Sequence, residues 1–428
     1  MARVLIPQAA SNLRWSGHAA GNVGVLMVLA KRLVVTGCFW AALIWAMPAV
    51  AQPSPDCNAA ASQSVLKAHL PGHPFEALAS HDGCWVFVSL RLARDRGGIA
   101  VLSRMDGTLT QTRIALLSGP LPAGMALTHD GALLIVPDGS HVYFLDTDRL
   151  IHGADPVIGV ISDGGLAGAI NAATTSDDRL LFVSDESLHQ VTVIDLAKAR
   201  QSVFRERAVI GQIPTGREPV GLALSSHDDY LFITSEVLPQ HHSSATCRSE
   251  GQKGGAYVPE GVLEVVSIAG LQPNPAKAIV GAVTAGCSPV RAVLSAQGDR
   301  LYVTARASDA LLVFDPAALV SDPAHALLAK VPVGNAPVGL VVVDQGRRIV
   351  VANSSRFGGA GGQDLTVIDA SRVNQGGDAV DGTVAVGHFP RELHATDDGK
   401  VLLVTDFDSD QIELLSVDQL PETRTLTQ

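Results

Sequence analysis

A unit of four short apolar segments recurs seven times along this 428-residue chain and constrains its fold more than any other feature. Each unit opens on an anchor residue, usually proline. An Asp or Gly turn and a second apolar run follow it. The anchors are Pro74, Pro122, Ala169, Pro219, Pro289, Pro337 and Pro390, spaced 47–53 residues apart except for 70 between Pro219 and Pro289. Such self-similarity indicates a repeat architecture.

Within each unit, apolar segments alternate with turns, and this pattern predicts four short strands. The unit at Pro337 reads "GLVVV", "RIVVA", "LTVID" and "TVAVG", with Gly and Asp between the segments. Gly and Asp suit turns because they tolerate positive φ or form Asx turns. Units of this length with four strands are typical of propeller blades. We therefore predict an all-β fold, a seven-bladed β-propeller of four-stranded antiparallel blades, over residues 63–421.

The two ends of the repeat region complement each other. Residues 63–72, "QSVLKAHLPG", match a fourth strand without the three strands that should precede it. The last unit has three clear strands and then "PETRTLTQ", a poor fourth, so residues 422–428 are predicted to be a tail. An N-terminal strand that completes the last blade would close the ring and protect an exposed sheet edge.

Residues 1–51 are typical of a secretory signal peptide. Lys31 and Arg32 precede the apolar run "LVVTGCFWAALIWAM", which is followed by "AVA" at residues 49–51. The run is short for a membrane span, so we predict cleavage before Gln52, and Met27 is an alternative start. Residues 52–62 would form an N-terminal arm. The mature chain would be periplasmic or secreted, without a membrane span.

Charge and motifs exclude several functions. Residues 1–51 hold four basic and no acidic residues, so cleavage takes the net charge from −11 to −15. Such a protein repels phosphate backbones, and we predict no nucleic-acid partner. Nucleophile-elbow, zinc-protease, P-loop and dinucleotide motifs are absent from the sequence, so we predict no cofactor. We also expect a monomer.

The repeat resembles a known family. The pattern P-x-G-x-x-x-x-x-x-G-x-x-x-x-V-A-N, followed by V-x-V-I-D and V-x-V-G, is similar to the YVTN-repeat (YncE-like) β-propellers, and the units at Pro337 and Pro390 match best. The resemblance covers roughly residues 63–420 and differs from WD40 repeats, because no unit carries the Trp-Asp pair. It implies an exported binding scaffold, and some members of the wider group are lactonases.

Strand alternation assigns the cysteines to two faces. The turn between first and second strands defines the bottom face. The loop between second and third strands and the crossing loop to the next anchor lie on the top face. Cys57 and Cys84 fall on the bottom and Cys247 and Cys287 on the top. In an exported chain this favours the disulfides Cys57–Cys84 and Cys247–Cys287 over free buried thiols.

One blade carries an insertion on the top face. Residues 238–261, "LPQHHSSATCRSEGQKGGAYVPEG", lengthen the fourth unit. His241, His242 and Cys247 invite a metal hypothesis, but adjacent histidines do not readily converge on one ion, and Cys247 has a disulfide to form. We predict no metal site and a solvated loop of the kind that often carries specificity.

Residues on the first strands should line the central channel. Two positions after the anchors are Glu76, Gly124, Asn171, Gly221, Arg291, Gly339 and Glu392, and the crossing loops add His73, Arg217, Glu218 and His388 at the mouth. If the top face is functional, we expect the glycines to leave room for a ligand and Arg291 to anchor its anionic group, out of contact with Glu76 and Glu392. For the channel lining itself we favour a water-filled channel with structural ion pairs, because such pairs are common away from active sites.

Second strands end in Asp138, Asp185, Ser235, Ala305, Asn353 and Asp406. Such a ring could hold calcium, but Asx side chains more often bond to nearby backbone amides, so we predict that each caps its own turn.

These observations favour a non-enzymatic scaffold that binds a small anionic ligand or an envelope protein through its top face and channel mouth. Two alternatives stay open: a lactonase-like hydrolase that uses Glu76, Arg291 and Glu392, and a structural protein of the cell envelope. The fold cannot decide among them, because propellers host many functions.

Overall fold

The protein is all-β and forms a seven-bladed propeller, as the repeat predicts. A computed structural model describes residues 57, 65–94, 96–105, 107–165, 167–204, 206–239, 247, 260–272, 274–356 and 363–422. Within these residues, seven sheets each contain four antiparallel strands. The first strands of successive blades contact each other, which places them innermost in the ring. The predicted signal peptide lies outside the described residues, as does all of the N-terminal arm except Cys57.

Blades 1 to 4 each take four consecutive strands from the chain. Blade 1 comprises β2 (Gly72–Ala79), β3 (Trp85–Leu92), β4 (Arg96–Met105) and β5 (Thr108–Leu117). Blade 2 comprises β6 (Ala126–Leu127), β7 (Leu133–Asp138), β8 (His141–Asp146) and β9 (Val157–Ser162). Blade 3 comprises β10 (Ala169–Thr174), β11 (Leu180–Asp185), β12 (Gln190–Asp195) and β13 (Val209–Pro214). Blade 4 comprises β14 (Arg217–Leu224), β15 (Tyr230–Val237), β16 (Glu260–Ser267) and β17 (Ile279–Cys287).

Blades 5 and 6 follow the same order, and blade 7 completes the ring with the first strand of the chain. Blade 5 comprises β18 (Pro289–Leu294), β19 (Leu301–Ala305), β20 (Ala310–Phe314) and β21 (Leu327–Pro332). Blade 6 comprises β22 (Pro337–Val343), β23 (Arg348–Asn353), β24 (Asp364–Asp369) and β25 (Val380–Ala385). Blade 7 comprises β26 (Pro390–Ala395), β27 (Val401–Asp406), β28 (Gln411–Ser416) and β1 (Val65–His69).

Short helices occupy several connections. The α-helices are α1 (Thr147–His152), α2 (Leu196–Gln201) and α3 (Ala318–Ser321). The 3-10 helices are Glu206–Ala208, Ala269–Leu271, Pro275–Lys277, Arg306–Ser308, Pro323–His325, Asp344–Gly346, Ala370–Ala379, Phe407–Ser409 and Val417–Gln419. Asp146 and Asp195 cap α1 and α2 by accepting backbone N–H bonds, as N-cap aspartates do. In the described part of the chain, no helix combines the length and apolarity that crossing a bilayer requires.

The turns between first and second strands have the backbone geometry expected from their residues. The position after the turn Asp, His or Gln has a positive φ in all seven blades, at Gly83, Gly131, Asp178, Asp228, Gly298, Gly346 and Gly399. Glycine and aspartate are the residues that adopt this conformation at low cost. The histidines beside these turns bridge neighbouring blades. His81 Nδ1 lies 2.6 Å from Asp397 Oδ2, and His129 Nδ1 lies 2.9 Å from Asp178 Oδ1.

Ring closure by the N-terminal strand is confirmed. Strand β1 pairs antiparallel with β28, from Val65 opposite Leu415 to His69 opposite Gln411. Lys67 Nζ also donates to Glu413 Oε1 at 2.7 Å, and the Glu413 side chain is 1% exposed. The strand therefore supplies both the outer edge of blade 7 and the cation that faces a buried carboxylate.

Both predicted cysteine pairs lie at disulfide distance. The Cα atoms of Cys57 and Cys84 are 4.7 Å apart, and those of Cys247 and Cys287 are 5.4 Å apart. The second pair ties the blade 4 insertion to the end of β17. The rest of the insertion, including His241 and His242, lies outside the described residues apart from Leu238, Pro239, Glu260 and Gly261.

The hydrophobic core lies between blades. One cluster joins Phe87 of β3 to Leu134 of β7, and another joins Phe144 of β8 to Leu181 of β11. Fully buried phenylalanines at 0–1% exposure recur in blades 1 to 5, at Phe87, Phe144, Phe182, Phe232 and Phe314. Burying such a ring contributes roughly 2–3 kcal/mol, so packing between blades holds the inner strands in place around the channel.

Candidate functional site

Every innermost strand changes register just after its anchor. The irregularities lie between Pro74 and Ala77, Ala169 and Asn171, Pro219 and Gly221, Pro289 and Ala292, Pro337 and Leu340, and Pro390 and Leu393, and in blade 2 an isolated Pro122–Asp138 bridge precedes β6. A bulge re-aims the side chains beside it. The channel mouth is therefore built from residues at and just after these bulges.

Hydroxyl groups on the second strands fasten neighbouring blades together at this level. Each donates to the carbonyl of the residue after the next blade's anchor: Ser89 to Ala123, Ser184 to Val220, Thr234 to Val290, Thr304 to Val338, and Thr405 to Phe75. Pro137 and Ala352 occupy the same position in blades 2 and 6 and have no hydroxyl. We call these five hydrogen bonds the inter-blade clips. They explain the recurring Ser or Thr in "FVS", "FIT", "YVT" and "LVT".

We expect Thr304→Val to destabilise the protein measurably. Thr304 Oγ1 donates to the Val338 carbonyl at 3.0 Å and accepts from the Arg291 backbone N–H at 3.1 Å. Valine keeps the shape but leaves both backbone groups without this partner in a buried place, a loss of about 1–3 kcal/mol in the free energy of unfolding. Urea denaturation measures it. Thr110→Val, on the exposed side of β5, is the control, and equal losses in both variants would refute the role of the clip.

The three channel glycines do not leave room for a ligand, and this expectation was wrong. A Cβ built on Gly124 would lie 2.5 Å from Asn171 Oδ1, and one on Gly339 would lie 2.7 Å from the Arg391 carbonyl oxygen. At Gly221 a Cβ would overlap the Val290 carbonyl oxygen. The neighbouring blade fills the space beside each glycine. These glycines therefore let adjacent inner strands approach closely.

Arg291 is an ion-pair partner, which corrects the expectation that Glu392 would lie out of contact. Arg291 Nε donates to Glu392 Oε2 at 2.9 Å, and Nη2 donates to Glu392 Oε1. Both side chains are buried. Burial lowers the pKa of Arg291, but the charge and hydrogen bond of Glu392 outweigh it, so that the pKa is raised. Such bidentate pairing occupies Nε and Nη2 of Arg291, while the buried Nη1 has no hydrogen-bond partner among the described residues.

Glu76 lies in the same layer. Its carboxylate accepts a hydrogen bond from the Met125 backbone N–H of blade 2. Burial raises the pKa of Glu76 to about 8, and the negative charge of Glu392 adds to the effect. The three charged residues predicted for the channel are thus electrostatically coupled. In the sequence, each of these three residues comes two positions after its anchor. The residues directly after the anchors are mostly apolar, and among them Val220, Val290 and Val338 pack against one another.

The polar ends of the second strands do not cap their own turns. Instead they lie against the crossing loops. Asp138 Oδ1 accepts from the Leu121 N–H at 2.8 Å, and a Cβ on crossing-loop Gly387 would lie 2.6 Å from the Asp406 carboxyl group. Burial raises the pKa of Asp406 to about 7 and that of Asp185, with help from Asp163, to about 9. No three His, Cys, Asp or Glu side chains among the described residues are grouped as a metal site would require.

A cavity of about 340 Å³ opens at the channel mouth. Aromatic and aliphatic side chains form much of its wall, including Phe75, Phe389, Phe407, Leu121 and Ile170. Its charged lining residues are Arg91, Glu186, Arg356 and Arg391. A smaller cavity of about 30 Å³ shares Glu186, Arg356 and Arg391 and reaches down to Arg291. A concave, largely apolar pocket with few charged groups is the usual form of a small-molecule site.

Arg391 is the central charged group of this mouth. Its guanidinium carbon lies 3.8 Å from the centre of the Phe75 ring, and Phe407 and Phe389 are 5.3 and 5.6 Å away. The buried Nε has no hydrogen-bond partner among the described residues. Burial lowers the pKa of Arg391 to about 10, so the group stays cationic at neutral pH. Flat aromatic faces hold the guanidinium in place by cation–π attraction and leave its N–H groups for another acceptor.

Sequence reasoning missed Arg391, although the alignment contained its signal. The residues directly after the anchors are Phe75, Ala123, Ile170, Val220, Val290, Val338 and Arg391, so one cation interrupts six apolar residues. The position after Asp185, Ser235, Ala305 and Asp406, which align with one another, supplies Glu186, Glu236, Arg306 and Phe407 to the top face. Arg306 Nη2 pairs with Glu236 Oε2, and both side chains are about 10% exposed.

The other predicted mouth residues form the surroundings of this cavity. His73 stacks on Phe407 with ring centres 4.9 Å apart, and its Nδ1 lies 2.8 Å from Asp410 Oδ1. The backbone N–H of exposed His388 donates to Ser409 Oγ, and the backbone N–H of Glu218 donates to His189 Nδ1. Asn171 Oδ1 accepts from the Ala172 N–H. None of these predicted residues, nor Arg217, lines the cavity itself.

No family model matches this chain, and no curated protein matches it. Solved structures do resemble it. Hydrazine synthase of Kuenenia stuttgartiensis superposes with a TM-score of 0.60 at 15% identity, covering 82% of this chain and 97% of that one. A chain of the mitotic checkpoint complex superposes with a TM-score of 0.60 at 13% identity, covering 87% and 98%.

These likenesses show the fold alone. At identities of 13–15%, neither neighbour indicates a ligand or an activity for this chain.

Proposed function

We propose that this chain is an exported β-propeller, related to the YVTN-repeat (YncE-like) proteins, that binds a small organic anion at its channel mouth. One observation carries the binding proposal: the Arg391 guanidinium lines an aromatic cavity and forms no ion pair with another described residue. A hydrogen bond from this cation to an anionic ligand would contribute about 1.5–3 kcal/mol. The apolar wall would hold the body of the ligand.

Export rests on different evidence. The N-terminal pattern of residues 1–51 is typical of a signal peptide, and the two cysteine pairs fit an oxidising compartment. In this proposal the mature chain begins near Gln52 and works in the periplasm or outside the cell. Residues 238–261 would border the top face. The Cys247–Cys287 disulfide would tie them to the end of β17, just before the first strand of blade 5.

The two alternatives remain predictions with less support. A lactonase-like hydrolase would use Glu76, Arg291 and Glu392, but the Arg291–Glu392 pair occupies two of these groups. A structural role in the envelope would not need a cavity that contains an unsatisfied cation.

The binding proposal predicts that 3-phenylpropanoate binds and that Arg391→Gln weakens it. A charge-assisted hydrogen bond contributes about 1.5–3 kcal/mol, so the affinity measured by calorimetry should fall roughly 10–100-fold. Arg179→Gln is the matched control, because Arg179 is exposed at the first turn of blade 3. If 3-phenylpropanoate, benzoate and hexanoate all fail to bind, or if Arg391→Gln binds them as the parent does, the proposal is wrong.

A further inference from the structure

The mouth cavity contains a carboxylate as well as a cation. Glu186 follows the last residue of β11 and lines the same 340 Å³ cavity as Arg391. Among the described residues, the Glu186 side chain makes no hydrogen bond, and no ion pair within 4 Å joins it to Arg391, Arg356 or any other cation. The cavity lining therefore contains charges of both signs, one carboxylate and three cations, and no ion pair at contact distance neutralises Glu186.

The surroundings of Glu186 favour a cationic partner. Burial raises the pKa of Glu186, and the nearby negative charge of Glu218 adds to the effect, whereas Arg391, Arg306 and Arg356 oppose it at longer range. Glu236 contributes a third carboxylate on this side of the mouth, although it is paired with Arg306. A ligand that carried only a negative charge would pair with a cation of the cavity and would leave the Glu186 carboxylate without a counter-charge at contact distance.

Opposite charges across one apolar cavity match a ligand with opposite charges at its own ends. We propose that the mouth binds a zwitterion with an apolar side chain, an amino acid or a short peptide, whose carboxylate pairs with Arg391 and whose ammonium group pairs with Glu186. The apolar side chain would contact the wall formed by Phe75, Phe389 and Phe407. This inference rests on the proposed function and extends it by adding a second recognition group.

Four probes separate the contributions of the two charges and the apolar wall. L-Phenylalanine carries all three features, 3-phenylpropanoate lacks the ammonium group, 2-phenylethylamine lacks the carboxylate, and glycine lacks the side chain. We expect calorimetry to show that L-phenylalanine binds at least about tenfold more tightly than each of the others, since each lost charge-assisted contact is worth that much or more. The dipeptide Leu-Phe, tested beside L-phenylalanine, distinguishes a peptide ligand from a free amino acid by which of the two binds more tightly.

Two variants assign each charge to its partner. Glu186→Gln should reduce the affinity for L-phenylalanine to that for 3-phenylpropanoate and should not weaken 3-phenylpropanoate itself. Arg391→Gln should reduce the affinity for L-phenylalanine to that for 2-phenylethylamine. Arg179→Gln should change none of these affinities, and circular dichroism with thermal melting checks that all three variants are folded.

The outcomes distinguish this inference from the proposed function. If 3-phenylpropanoate binds as tightly as L-phenylalanine, or if Glu186→Gln binds L-phenylalanine as the parent does, the zwitterion inference is wrong while anion binding stands. If neither L-phenylalanine, Leu-Phe nor any simple anion binds, both proposals fail.

Discussion

A chain that lacks residues 1–70 should be far less stable to urea than one that lacks only residues 1–64. The longer deletion removes β1, and with it five backbone pairings to β28 and the Lys67 partner of buried Glu413. We expect a loss of more than about 3 kcal/mol from a total that is about 5–15 kcal/mol in typical folded proteins. The unfolding transition should remain cooperative if the ring unfolds as one unit.

The shorter deletion is the control for the disulfide. Both deletions remove Cys57, so Cys84→Ser is introduced into both chains to avoid a free thiol. The two chains then differ by residues 65–70, which include strand β1. Equal urea midpoints for the two chains would show that β1 adds nothing to the ring.

Arg291→Ala should also cost much of the stability. Its removal leaves the buried Glu392 carboxylate without its bidentate partner and near Glu76. Breaking a buried ion pair from one side typically costs about 3–5 kcal/mol. Arg347→Ala removes the exposed partner of Asp344 while Arg348 keeps its ion pair with Asp344, so it should cost far less.

A double variant separates charge from packing. Arg291→Met combined with Glu392→Leu removes both charges and keeps apolar volume in the channel. Because well-packed apolar residues often replace a buried ion pair without loss, this variant should be more stable than Arg291→Ala in urea. If Arg291→Ala instead leaves stability unchanged and abolishes ligand binding, the guanidinium is a ligand group after all.

Local patterns made the blades predictable. The turn residues Gly83 and Asp178 have the positive φ that their side chains suit, and the isolated fourth-strand pattern at residues 63–72 identified the closing strand. Face assignment by strand alternation was enough to pair four cysteines. Each of these inferences needs only the period of the repeat and the direction of a strand.

Contacts across the channel were not predictable in the same way. Arg291 and Glu392 belong to blades 5 and 7, and counting blades suggested that they lie apart. The intervening residue at this level is Gly339, which leaves no side chain between them, and long side chains then span the narrow channel. The bulge after each anchor also shifts the register, so the simple two-residue alternation does not say which side chains reach the mouth. Arg391 was missed for this reason.

The inter-blade clips are unevenly distributed, so that two of the seven junctions lack the hydroxyl bond. Blade 2 lacks a clip hydroxyl, but its Gly124 N–H bonds to the Ile170 carbonyl of blade 3 at 2.8 Å. Blade 6 has Ala352 at the clip position, so its junction with blade 7 lacks the hydroxyl bond that fastens five other junctions. Blade 7 carries Arg391. The blade 6–7 junction therefore depends on the close packing of β22 against β26, where Gly339 lies directly against the Arg391 backbone, so a larger residue at Gly339 should displace Arg391 at the mouth.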